Sequence, residues 1–454
     1  MNNLIQQLKN LENQPIILGN ELGKGGEGSV FAIKNSPNFA LKIYHHLPSR
    51  EKIEKILAMV RLGNERLMNI STWPLASYYS ESGILSGFVM PRLTNHYSLY
   101  ELYNPGLRLQ KFPKADWRFL VHAAMNVARA FGVIHNAGHV IGDVNHGNLV
   151  VAQDATVRFI DTDSFQIIEG KKCWFCEVGV LTHQPPEMQG LSTFKGVQRT
   201  RNHDNFGLAV IIFQLLFLAR HPFSGRFLGK GDMPLEKAIA EYRFAFSSDH
   251  QILQMLPPPA SLPMAALTPH LRQLFERAFS RDAYGAQEGL RPTSEEWINA
   301  LTTLAAMLKS CTSNGGHYYN QELSACPWCD IEAKSCLILF PVVRVDSTSN
   351  SDSATIERQV VNIKDPGPEP SPSTVAHQSL SPALKAQGII ELKLLKVFFW
   401  VIWLIMLFIT LIMGNAGSVW MVLGAPGVML LWKRVLYSIP TKVRRSRKKK
   451  YIRI

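Results

Sequence analysis

The feature that most narrows what this chain can be is the spacing of Asp143, Asn148 and Asp161, which fall in the stretches IGDVNHGNLVV and VRFIDTDSF. An Asp five residues before an Asn, with a further Asp thirteen residues on, supplies three oxygen donors. Brought to one point, such a set suits a hard cation. Taken alone, Asp-Val-Asn-His-Gly-Asn is equally a polar turn between strands, so the rest of the chain has to decide.

At 454 residues the chain is too long for one ordinary domain, since domains run to about 100–200 residues. Its formal charge of +13 invites a nucleic-acid reading, but residues 433–454 alone carry ten Lys or Arg and no acid, which leaves +3 for everything before them. The basicity belongs to a tail that directly follows an apolar segment, a placement that favours anionic lipid. No nucleic-acid partner is expected. The N-terminus MNNLIQQLKNLENQPIIL lacks the basic start and unbroken apolar core of a secretory signal. Only six cysteines occur, four of them between Cys311 and Cys336, which fits a reduced compartment better than a disulfide scaffold.

Residues 21–30, ELGKGGEGSV, place Gly23, Gly25, Gly28 and Val30 in the pattern G-x-G-x-x-G-x-V. Glycine lets backbone amides approach phosphate oxygens closely. The dinucleotide-binding fingerprint shares these glycines but opens a helix. Here SVFAI and FALKIY read instead as two strands joined by NSPN, which predicts a β-hairpin lid. Next, SREKIEKILAMVRL has helical periodicity with Ile53, Ile56, Leu57 and Val60 on one face.

In this order, the glycine loop, the strand lysine Lys42, Asp143, Asn148 and Asp161 resemble a Hanks-type (eukaryotic-like) Ser/Thr protein kinase across roughly residues 15–305. Pro185-Pro186-Glu187 resembles the end of a kinase activation segment, and Asp204 the Asp that supports the catalytic loop from beneath. Arg291-Pro292-Thr293 resembles the late motif whose arginine pairs with that glutamate, and HPFSG at 221–225 also fits. The resemblance implies an α+β, bilobal kinase-like fold, with a small antiparallel β lobe and a helical lobe. It implies ATP and Mg²⁺ (or Mn²⁺) as cofactors and protein hydroxyls as substrates. Asp143 would orient the attacking hydroxyl and take its proton, Asn148 and Asp161 would hold metal, and Lys42 would contact phosphate. Glu54 would pair with Lys42, with Glu51 as the alternative.

Three departures bear on activity. Ile141-Gly142-Asp143 lacks the arginine that reads activation-loop phosphorylation, and Asn145 stands where Ser/Thr kinases carry a lysine that touches the γ-phosphate. Asp161-Thr162-Asp163 replaces a glycine with a second acid, which would join the metal shell or, preferably, cap the following turn. A pseudokinase signalling scaffold is therefore one alternative. A small-molecule kinase is another, because Gly142-Asp143 with Gly147-Asn148 is similar to the loops of aminoglycoside and choline kinases. Cys173 and Cys176, in KKCWFCEV, read as packing residues beside Trp174 and Phe175, with redox or zinc chemistry as the alternative.

After the kinase-like region, 1–305, residues 306–340 hold Cys311, His317, Cys326 and Cys329, an arrangement suited to a tetrahedral Cys₃His zinc site of structural type. Cys336 is the alternative to one of these ligands. Residues 341–392 are rich in Ser, Thr, Pro and Gly and read as a disordered linker. Residues 393–434 contain the seventeen-residue stretch VFFWVIWLIMLFITLIM and a second apolar stretch, with no charge between Lys396 and Lys433. They read as a transmembrane helical hairpin, and 435–454 as a basic cytoplasmic tail. The expectation is a kinase at the inner (cytoplasmic) membrane with both termini cytoplasmic. Its expected partners are membrane lipid, protein substrates, and a cytosolic regulatory partner or phosphatase. With no sizeable segment beyond the hairpin, sensing is expected to be intracellular, lipid-based or borrowed from a partner.

Overall fold

The computed structural model describes residues 15–80, 83–279, 281, 290–342 and 452–453. Five strands form an antiparallel sheet in the order β1 (Leu18–Lys24), β2 (Gly28–Ile33), β3 (Phe39–Tyr44), β5 (Leu85–Pro91), β4 (Ala76–Tyr79), and Ile452–Arg453 pairs along β4. Val30, Lys42 and Phe88 lie in register across the three central strands. Two glycines permit this close pairing. A Cβ on Gly28 would come within 2.5 Å of the Ile43 carbonyl oxygen, and one on Gly87 would collide with the carbonyl oxygen of Lys42.

Helix α1 (Arg50–Leu62) begins where the Ser49 hydroxyl accepts from the Lys52 amide at 3.1 Å, satisfying one of the unpaired donors of the first turn. The helix faces inward through Lys55, Ile56, Ala58 and Met59, with Ile53 and Leu57 partly buried at the edge of that face. Two lysines, Lys52 and Lys55, thus occupy inward positions that hydrophobic periodicity assigns to apolar residues. After the short helix α2 (Glu65–Ile70), a three-stranded sheet of β6 (His96–Ser98), β7 (Leu149–Ala152) and β8 (Val157–Phe159) carries the stretch that holds Asp143, Asn148 and Asp161.

The helical half is built around α3 (Trp117–Asn136), against which α4 (Arg201–Leu216) and α6 (Ser294–Ala306) pack, with α5 (Pro269–Phe279) beside them. Ala123, Ala124, Ala128 and Ala130 on α3 are buried in this packing. Below them Phe213 stacks on Phe217 with centroids 3.9 Å apart and meets Phe275 edge to face. Between the two halves run the antiparallel strands β9 (Ile167–Glu169) and β10 (Lys172–Trp174).

The Cys/His segment folds as β11 (Leu308–Ser310) paired with β12 (Tyr318–Asn320), followed by α7 (Pro327–Ser335). It shares the core of the helical half. Trp328 meets Trp117 edge to face at 5.3 Å, and the buried guanidinium of Arg108 donates to the Leu339 carbonyl at 2.8 Å and lies over the Phe340 ring.

Among the described residues, no helix is long and apolar enough to cross a membrane. The longest, α3, has 20 residues, carries Arg118, His122, Asn126 and Arg129, and is packed inside the protein. The expected inner-membrane placement is corrected accordingly: no described element provides an anchor. The hairpin assigned to 393–434 lies outside the described residues, as do the linker beyond Val342 and all of the basic tail except Ile452–Arg453.

Candidate functional site

Lys42 extends from β3 into the seam between the two halves, with its ammonium 2.6 Å from Asp163 Oδ1 and 3.2 Å from Asp161 Oδ1. Burial by itself would push this lysine's pKa down, but the charges of Asp163 and Asp161 outweigh it and hold the pKa above the ordinary value. Asp161 is held in the left-handed region, at φ 55°, a conformation Asp tolerates better than most residues. The single 3₁₀ turn Thr162–Ser164 follows, so two acids two residues apart reach the same ammonium. The side chain of Asp161 is about half exposed and that of Asp163 is buried.

Neither helix glutamate meets Lys42. Glu54 pairs with Arg50 and Lys172 on the outer side of α1, and Glu51 is exposed in the first turn. Residues 52 and 54 are two apart on a helix, about 200° around its axis, so with Lys52 and Lys55 turned inward, Glu54 faces away. Lys52 fills the space instead, with its ammonium 3.0 Å from Asp163 Oδ2 and 3.0 Å from Glu27 Oε2 in the glycine turn. Tyr44 adds a hydroxyl that donates to Asp163 Oδ2 at 2.9 Å. Asp163 therefore neither joins an open metal shell nor caps its turn. Sequence reasoning missed Lys52, Tyr44, Glu27 and the partners of Asp163. The one signal in the chain is Lys52 and Lys55 recurring with Ile56 and Met59 at helical spacing.

The glycine hairpin forms between β1 and β2, where Gly23 pairs with Val30 and the Gly25 amide donates to the Gly28 carbonyl at 2.9 Å. Its strand β1 is largely exposed, so the tip is open to a ligand.

Asp143 lies on a loop fixed from below. The buried Asp204 carboxylate accepts from the Ile141 amide at 2.7 Å, from the Gly142 amide at 2.8 Å, and bonds His135 Nε2 at 2.9 Å. Asn148 Nδ2 donates to Asp143 Oδ2 at 2.8 Å and to its carbonyl at 3.0 Å. Asn145 is engaged within the loop: its amide nitrogen donates to the Asp143 carbonyl at 3.1 Å, and its oxygen accepts from the Gly147 and Asn148 amides. Asp143 Oδ1 is buried with no hydrogen-bond partner among the described residues. Burial pushes the Asp143 carboxyl up to about 6, against the pull of Asn148 and Asn145 and with a further push from Asp161.

The segment that follows is tied down at both ends. Lys55 donates to the Ser164 carbonyl at 2.9 Å and to the Phe175 carbonyl at 3.3 Å, and burial lowers its pKa to about 8. Gln184 donates to the Gly142 carbonyl at 3.0 Å and accepts from the buried Arg199. Arg291, fully buried, grips Glu187 with two bonds of 2.6 and 2.8 Å. Cys176 packs with Val178 and Phe194 and directs its thiol at the Ile141 carbonyl, 3.7 Å away. Neither it nor Cys173 belongs to a metal-competent cluster among the described residues.

Such a cluster does form from Cys311, His317, Cys326 and Cys329, whose ligand atoms all lie within 4.8 Å of one another. Cys326 and Cys329 sulfurs sit 3.6 and 3.4 Å from His317 Nδ1, and the Cys311 and Cys329 sulfurs are 3.6 Å apart. Four soft or borderline donors at these separations are compatible with tetrahedral zinc. His317 Nε2 lies 3.1 Å from Glu332 Oε1, an outer contact of the type that orients ligand imidazoles. Cys336 is exposed and outside the group.

The chain is similar to Protein kinase YegI of Escherichia coli O157:H7, 38% identical over 336 residues that make up 74% of this chain and 52% of that protein. It is likewise 40% identical over 317 residues to Protein kinase YegI of Escherichia coli strain K12, covering 69% of this chain and 48% of that protein. The chain spans about half the length of these curated relatives. No protein-family model matches it.

Proposed function

We propose that the chain is an ATP-dependent Ser/Thr protein kinase of Hanks type, in which the antiparallel sheet is the small lobe and the helices around α3 are the large lobe. The observation that carries this reading is the meeting of Lys42 and Asp161 at 3.2 Å, 119 residues apart in sequence, beneath the glycine hairpin. A lysine and a half-exposed carboxylate placed together can hold, respectively, the phosphates and the metal of a nucleotide.

In this reading, Gly23, Gly25, Gly28 and Val30 cover the nucleotide, Lys42 anchors its phosphates, and Asn148 and Asp161 supply oxygens to Mg²⁺ or Mn²⁺. The bound metal would neutralise charge that develops on the transferred phosphoryl group. Asp143 Oδ1, buried and without a protein donor, accepts the proton of a substrate Ser or Thr hydroxyl, while Asn148 fixes Oδ2. Protein substrates are inferred from the activation-segment tie Glu187–Arg291 and from the names of the relatives. Zinc in the Cys/His cluster would be structural, because all four positions are filled by protein groups.

Asn145 favours a second reading. It stands where a γ-phosphate-contacting lysine is expected and is engaged entirely within its own loop, so a nucleotide-binding scaffold with weak or absent transfer is the alternative. Radiolabelled ATP transfer by the full chain to itself and to a protein panel, compared with Asp143→Ala and followed by phosphoamino-acid analysis, separates the two. The kinase reading expects phosphoserine or phosphothreonine well above the variant. Equal labelling of the two proteins would leave only the scaffold.

A further inference from the structure

Asp163 is the most heavily committed side chain in the seam. Its Oδ1 takes Lys42 at 2.6 Å, and its Oδ2 takes Tyr44 at 2.9 Å and Lys52 at 3.0 Å, with the carboxylate buried. Its partners are two cations and a hydroxyl, all donors. The acids of α1 that could have served Lys42 are instead on the outer side of the helix, engaged with Arg50 and Lys172 or exposed. We propose that Asp163 is the positioning residue of the phosphate-anchoring lysine, with the polarity of the helix contact inverted, so that the carboxylate comes from the turn after Asp161 and α1 answers with the cation Lys52. The proposal rests on the kinase reading of Lys42, and it adds a residue and a coupling that the reading does not contain.

Lys42 and Lys52 both lie over the Tyr44 ring, at 5.9 and 5.5 Å from its centroid, and so share one small volume. Two ammonium groups there repel unless a carboxylate lies between them, and Asp163 is that carboxylate. Because Asp163 is two residues from Asp161 on one 3₁₀ turn, the metal-side acid and the anchor of the lysine move as a unit. Lys52 carries the same hub to the glycine turn through Glu27 Oε2 at 3.0 Å. A carboxylate on the helix would make the lysine's placement depend on the helix. Here the lysine is fixed by the turn, and the helix and glycine lid are fixed to it in their turn.

The test moves the carboxylate. The full chain is prepared as wild type, Asp163→Asn, Asp163→Gly, Glu54→Ala, and the double variant Asp163→Gly with Lys52→Glu, which returns the acid to α1. Phosphoryl transfer is measured as kcat and KM for ATP, and in parallel the modification of Lys42 by an amine-reactive sulfonated ester is followed by peptide mass spectrometry. Asp163→Asn and Asp163→Gly should each lower kcat/KM for ATP by on the order of 100-fold, the scale on which misplacing a reactant acts, and both should speed the labelling of Lys42. Glu54→Ala should stay within about twofold on both measures, since its partners are exposed. The double variant should recover about tenfold or more over Asp163→Gly alone, a rescue that a merely structural aspartate would not allow. Wild-type kinetics and Lys42 reactivity in Asp163→Asn, or a Glu54→Ala loss equal to that of Asp163→Asn, would overturn the proposal. A wild type no faster than Asp143→Ala would sink the kinase reading itself, and the labelling arm would then still decide whether Asp163 is the counter-ion of Lys42.

Discussion

A carboxylate that serves as a base has to be ionised, and Asp143 is buried where ionisation is resisted, with its carboxyl pushed up to about 6. Transfer should therefore fall as pH drops through about 6, with the acid limb read from kcat/KM against pH. The sign for stability is opposite. A carboxyl whose folded-state value lies above its ordinary one stabilises the fold below the ordinary value, and that contribution is lost as pH rises through about 6. Asp143→Asn, which keeps an acceptor for Asn148 and removes the buried charge, should thus be inactive yet more stable than wild type at pH 8, by on the order of 2 kcal/mol. Urea titrations should show the gain shrinking towards pH 4. A second residue-scale expectation concerns Arg291, a fully buried guanidinium neutralised by Glu187. Glu187→Ala leaves that charge uncompensated and should cost about 3 kcal/mol, the lower end for such pairs, because Glu187 is itself partly exposed. Spacing along the chain singled out Asp143, Asn148, Asp161, Glu187, Asp204 and Arg291, and the structure brings Asn148 to Asp143, Lys42 to Asp161, the Ile141 and Gly142 amides to Asp204, and Arg291 to Glu187. The role of Asp163 was not legible in this way, because its partners lie more than a hundred residues away, Lys42 and Tyr44 on β3 and Lys52 on a face of α1 that apolar periodicity does not mark.

Elements were legible where a single period governs them. The strands on either side of NSPN and the hairpin built on Gly23–Gly28 follow from local rules, and the structure forms each. Helix α1 was legible in its extent, but of the face expected through Ile53, Ile56, Leu57 and Val60 only Ile56 is fully buried, and the buried face is completed by Lys55, Ala58 and Met59. Lysine facing inward is costly without partners, and what makes it acceptable is a set of acceptors remote in sequence: Asp163, Glu27 and the carbonyls of Ser164 and Phe175. Gly87 is a similar case. Nothing in the sequence marks it, yet it allows β5 to approach the carbonyl of Lys42. Gly87→Ala should push β3 away, lowering stability by about 1–3 kcal/mol and weakening ATP binding out of proportion to that loss. Calorimetric titration with a non-hydrolysable ATP analogue, alongside thermal melting, checks both.

At the scale of the whole molecule, the Cys/His segment is part of the same packed body as the helical half. Trp328 inserts against Trp117, whose indole donates to the Leu216 carbonyl at the end of α4. Arg108, in a helix of the same half, reaches Leu339 and Phe340 just past α7. If zinc holds Cys311, His317, Cys326 and Cys329, its removal should loosen the wall against which α3 packs as well as the short segment that binds it. A ligand that binds only the folded state stabilises in proportion to the logarithm of its excess over Kd, so the loaded protein should melt several degrees above the chelated one, in one shared transition. Cys329→Ser should reproduce the chelated melting point and bind less than one zinc per chain by elemental analysis. Cys336→Ser, outside the cluster, should bind a full equivalent and melt as wild type does. Two separate transitions, with the second unmoved by chelation, would mean instead that the Trp117–Trp328 contact transmits nothing and that the segment folds on its own account.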